Sequence, residues 1–102
     1  MILLTTISTV QIQLAHNLRQ HRINKGYTQQ GLAVRADVKL ATLRKFEQKG
    51  LISLESFLKI LMVLGLLESV VHATTTEAIL FVSIDDVLKE NKKSIRKKGW
   101  RT

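Results

Sequence analysis

No cysteine and no proline occur among the 102 residues. Without cysteine there is no disulfide and no thiolate metal site, which suits a reducing compartment. Without proline, helices have to be ended by glycine and by capping side chains. Gly26, Gly50 and Gly65 all fall between apolar-periodic segments, where left-handed helix ends belong. Long apolar runs are missing as well. The longest, Ile60 to Leu67, stops at Glu68, far short of the roughly 20 residues of a membrane span. Met1 to Val10 carries no basic residue ahead of its apolar positions and so lacks the shape of a signal peptide. A soluble cytoplasmic protein without membrane association is expected. Catalytic sets are missing too: there is no nucleophile–base pairing, no metal-ligand spacing and no glycine-rich phosphate loop. Neither an enzyme nor a cofactor is expected.

What is present is positive charge, unevenly placed. The chain carries sixteen lysines and arginines against eight acids, and six of those cations lie in residues 92–102, which hold no acid. The first 91 residues are left with ten cations against eight acids, close to neutral. A near-neutral body with a cationic arm points to a polyanion or an acidic cleft as partner. The arm is too charged and too short to pack, so disorder is expected there. A chain of this length makes one small domain with a limited core, and dimerisation would bury more apolar surface.

Apolar spacing predicts helices throughout. Ser8 can cap a first helix whose stripe is Val10, Leu14 and Leu18, with Ala15 beside it. Thr28 is a good cap for a short second helix holding Leu32 and Ala33. A third runs from about Lys39 to Gln48, with Leu43 and Phe46 inward and Arg44 and Lys45 outward. Ser53 caps a fourth, with Leu54, Phe57, Leu58, Leu61 and Met62 as its buried face. A short fifth spans Leu66 to His72. Residues 73–82 mix strand formers with a helix-friendly triplet and read as a connector or a strand. Ser83 and Asp86 resemble a capping box for a last helix to about Asn91. The expected organisation is a body at 1–72, a connector and C-terminal helix at 73–91, and the basic arm at 92–102.

The informative stretch is Thr28 to Phe46. Two short helices joined by a tight turn need a small residue where they cross and a residue that tolerates a left-handed backbone in the turn. Ala33 meets the first need and Asp37 the second. Val38 plugs the junction, and Leu43 and Phe46 anchor the second helix. This is a helix-turn-helix spacing. The words "YTQQGLAVRADVKLATLRKFEQKG" resemble the helix-turn-helix of the Cro and phage-repressor (XRE) class, over about Leu14 to Leu67. The resemblance implies an all-α, five-helix lambda-repressor-like domain with a short C-terminal helix. "ISLESFLKILMVLGLLE" and "SIDDVLKENKKSIRKKGWR" further resemble the antitoxins of HipB type. That likeness implies a homodimer on operator DNA, repression of its own operon, and a HipA-like serine/threonine kinase toxin as partner. The chain departs from the class pattern at Gly31, where Glu is usual, at Lys39, where Ser or Thr caps the recognition helix, and at Asp37, where glycine makes the turn.

Such a helix enters the major groove by its leading end. Lys39, Leu40, Ala41, Arg44 and Lys45 are the expected base-reading residues, because Lys and Arg suit guanine and small apolar groups suit a thymine methyl. Thr28, Gln29, Thr42 and Lys49 are expected at phosphates. The resemblance implies that Arg22 pairs structurally with Glu47. Arg96, Lys97, Lys98, Trp100 and Arg101 form the expected partner-binding tail, in which Trp100 is either an exposed residue without a role or an anchor buried in toxin or DNA. His16, His21 and His72 have no ligand spacing, so they read as surface or interface residues and no metal is expected. Two alternatives stand beside this reading: a phage-type repressor without a toxin partner, and an interaction adaptor that has lost DNA binding.

Overall fold

The computed structural model describes residues 6–76 and 85–88. Five helices follow one another: α1 (Ile7–Asn24), α2 (Gln29–Ala36), α3 (Leu40–Lys49), α4 (Leu54–Leu64) and α5 (Leu67–Ala73). Residues 85–88 form a helical turn, and no strand occurs among the described residues. The protein is all-α. Its residues cluster into two compact units that divide between Ser69 and Val70, within α5.

In the first unit the starts of α1, α2 and α4 are built from side-chain chemistry. Thr28 and Ser53 accept from the backbone N–H groups of Gly31 and Ser56, at 2.9 and 3.2 Å. Each satisfies a donor that the first helical turn leaves without a partner. The first helix starts earlier than Ser8 suggested: Thr6 is the cap, accepting from the Thr9 N–H at 3.1 Å. A hydroxyl two residues upstream competes for the same role, and composition does not separate the two. Lys39 stands at the N-cap of α3 without any side-chain cap bond. The chain therefore enters that helix with uncapped N–H groups beside a cation.

The core of this unit consists of Ala15, Leu18, Leu32, Ala33, Ala36, Leu43, Phe46, Ile60, Leu61 and Leu64. Phe46 and Phe57 meet edge to face with ring centres 5.8 Å apart, an arrangement that suits the ring quadrupoles. Two residues expected in the buried face of α4 are not there: Leu54 is 70% exposed and Met62 64% exposed. The buried stripe of α4 is Ile60, Leu61 and Leu64, with Phe57 half-buried. Ile60 to Leu67 is apolar at nearly every position, so it carries no period from which the phase of the helix could be read. In α1 the buried line is Ala15, Leu18 and Arg22, and Leu14 lies at its edge, 38% exposed.

In the second unit the end of α5 is closed by hydroxyls. Thr74 donates to the Val70 and Val71 carbonyls at 3.1 and 2.9 Å, and Thr75 donates to Val71 at 2.7 Å. Ala73 is helical, and Thr74 to Thr76 form no strand. The remainder of the connector-or-strand segment, 77–82, lies outside the described residues. So do Ser83 of the expected capping box and the whole basic arm with Trp100. No helix among the described residues is long and apolar enough to cross a membrane.

Candidate nucleic-acid interface

The turn between α2 and α3 decides where the leading end of α3 points. Asp37 adopts the left-handed conformation, φ 58° and ψ 47°, and is the only described non-glycine residue with positive φ. Its N–H donates to the Val34 carbonyl and that of Val38 to the Ala33 carbonyl, at 3.2 and 3.0 Å. Both bonds satisfy carbonyls at the end of α2. Ala33 is buried where the helices cross, and a larger side chain there would force them apart. Lys59 of α4 braces the turn from outside: its Nζ lies 3.4 Å from the Asp37 carbonyl and 3.7 Å from its carboxylate. That link spans 22 residues and had no signature in the sequence.

The orientation of α3 is fixed by Glu47. Its carboxylate, 4% exposed, accepts from Arg22 Nε at 2.8 Å and Arg22 Nη2 at 3.1 Å, a two-pronged pair reaching from α1. Arg22 Nη1 donates at 2.8 Å to the Tyr27 carbonyl in the α1–α2 connection. Gln29, at the start of α2, donates to the same carboxylate at 2.9 Å. One acidic side chain on α3 thus ties α1, the following turn and α2 together. The planar guanidinium suits such a pair because its donors match both carboxylate oxygens.

With Leu43 and Phe46 locked inward, the opposite face of α3 has to point to solvent. Lys39, Ala41, Arg44, Lys45 and Lys49 are exposed, and Leu40 and Thr42 are half-buried. None of Lys39, Arg44, Lys45 and Lys49 forms an ion pair with a described residue. Four exposed cations therefore stand on α3 and at its N-cap, none of them neutralised by an acid among the described residues. Of the other expected phosphate residues, Thr28 is exposed. Its oxygen accepts from Gly31, which leaves the hydroxyl proton to donate elsewhere. The Gln29 side chain is taken up by Glu47, so what it can offer a phosphate is the backbone N–H of the first helical turn. Sequence reasoning missed that use of Gln29, and it missed Arg35, which lies over the Tyr27 ring at 4.4 Å from its centre.

Comparison with known families places this geometry. The helix-turn-helix family HTH_3 matches residues 18–69, half of the chain. The chain belongs to the XRE-type helix-turn-helix family. The matched residues run from the buried Leu18 of α1 to the end of the first compact unit. They enclose the Arg22–Glu47 pair, the Asp37 turn and the exposed face of α3. The fold is that of a lambda-repressor-like domain, and the family makes the protein a DNA-binding transcription regulator. Comparison with curated proteins gives no match.

Proposed function

We propose that this regulator is a sequence-specific repressor acting as a cytoplasmic homodimer on a two-fold operator. We propose further that it is the antitoxin of a HipBA-like pair, repressing its own operon and binding a kinase toxin. The observation that carries the repressor reading is the exposed cationic face of α3, whose lysines and arginine form no ion pair among the described residues. Lys39, Arg44 and Lys45 would read base edges, with Leu40 and Ala41 against thymine methyls. Thr28, Gln29, Thr42 and Lys49 would hold phosphates on either side. A dimer would place two such helices in successive major grooves, about 34 Å apart.

Support for the antitoxin role is the wording of α4 and of the basic tail. Six cations around Trp100 are suited to an acidic cleft, with Trp100 as a buried anchor. Its test is to identify the neighbouring gene and, where it encodes a kinase, to co-express the two and score growth. The full chain should restore growth, and Trp100→Ala or removal of residues 92–102 should not. Restoration by both variants at wild-type level would refute a role for the tail. A neighbouring gene unrelated to kinases would leave a phage-type repressor without a protein partner.

A further inference from the structure

We propose that Arg35 is an additional DNA-backbone contact, preset by the Tyr27 ring and left unpaired by the glycine at position 31. The inference rests on the DNA-binding reading and adds to it a residue that the spacing of the motif did not single out. Three observations carry it. First, the Arg35 guanidinium stacks on Tyr27, its carbon 4.4 Å from the ring centre. Such stacking holds a long, flexible side chain in one place and leaves its edge N–H groups to solvent. Second, Arg35 Nη1 donates to the Gly31 carbonyl at 3.2 Å. One of five guanidinium protons is thereby occupied, and the others stay available. Third, a Cβ on Gly31 would lie 3.3 Å from Arg35 Nη1 and 3.2 Å from the Thr28 hydroxyl. The guanidinium and that hydroxyl thus flank one small gap, and a bare glycine keeps it open.

Charge completes the picture. Gly31 precedes Arg35 by one helical turn, the spacing at which an acid would pair with it. No acid stands there, and Arg35 forms no ion pair with a described residue. An exposed, stacked, unpaired guanidinium beside a hydroxyl donor fits a phosphate oxygen, which accepts from both. Arg35 is then a sequence-independent clamp, and Tyr27 is its positioning residue.

The test is binding of the full chain to a random-sequence duplex of about 24 base pairs, read by fluorescence anisotropy at several salt concentrations. Arg35→Met should make the log–log salt slope shallower by about 0.9 and weaken binding about fivefold to tenfold near 0.1 M salt, the share of one phosphate contact. Tyr27→Leu should weaken binding less, and should add nothing in the Arg35→Met background. Gly31→Glu keeps the charge of Arg35 but offers it a carboxylate. It should raise the melting temperature while lowering affinity, and its effect on affinity should shrink in the Arg35→Met background. Unchanged slope and affinity in Arg35→Met, with wild type still bound, would overturn the clamp and leave the DNA-binding reading standing. A wild-type protein with no salt-dependent binding would overturn both.

Discussion

Replacing Glu47 by glutamine keeps the shape of the side chain and removes its charge, which makes it the sharpest probe of how α3 is held. In the native protein two carboxylate oxygens accept three N–H groups, two from Arg22 and one from Gln29. Glutamine has one oxygen and an NH2 group, so at least one of those donors would face another donor. The Arg22 side chain, only 10% exposed, would keep its charge with no counter-ion. Removing one partner of a buried pair costs about 3–5 kcal/mol. The remaining acceptor puts the expected loss at the lower end, about 3 kcal/mol. For a domain of this size each kcal/mol moves the melting temperature by about 4–8 °C, so a fall of roughly 12–24 °C is expected. Circular dichroism at 222 nm, with heat and with urea, reads it directly. Arg22→Met combined with Glu47→Leu leaves no charge buried and should recover at least half of the loss. If Glu47→Gln melts within about 4 °C of wild type, the clamp does not hold the helices and the reasoning fails.

Two further perturbations test the turns. At Gly50 a Cβ would lie 2.8 Å from the backbone of Gln11, whereas at Gly65 it would meet nothing within 4 Å. Gly50→Ala should therefore cost about 2–4 kcal/mol in urea unfolding and Gly65→Ala only about 1, since both share the left-handed strain but only one adds a collision with backbone; equal losses would contradict the close approach to α1. Asp37→Val places a β-branched residue at φ 58° and should lose roughly 2 kcal/mol, while Asp37→Gly should stay within about 0.5 of wild type, and a tolerated valine would show that the turn is not held left-handed.

The helix-turn-helix was legible because its constraints are local. A small residue at Ala33, a turn-tolerant Asp37 and apolar Val38, Leu43 and Phe46 occur at spacings that few other arrangements need. Thr28 and Ser53 were readable as caps because a hydroxyl ahead of an apolar run has one good use. What could not be read was phase and cross-chain reach. Leu54, Leu58 and Met62 recur at i, i+4 and i+8 and so predict an inward stripe, yet Phe57, Ile60, Leu61 and Leu64 offer a competing one, and only packing chooses between them. Lys59 at Asp37 and Gln29 at Glu47 join residues 22 and 18 apart, and nothing in their local pattern announces the partner. Arg35 has no local signature for the same reason: its position depends on Tyr27, eight residues earlier, folding beneath it.

The central claim is that the outward face of α3 meets DNA. Lys39→Ala, Arg44→Ala and Lys45→Ala together leave the core untouched, because all three side chains are exposed and unpaired among the described residues. The melting temperature of this triple variant should match wild type within a few degrees, about the scatter expected for surface changes. Against a duplex selected in vitro for tight binding to the wild type, its affinity should fall about a hundredfold or more, at roughly 1–3 kcal/mol for each base-reading side chain lost. A folded triple variant that binds the selected duplex as tightly as wild type would contradict the account.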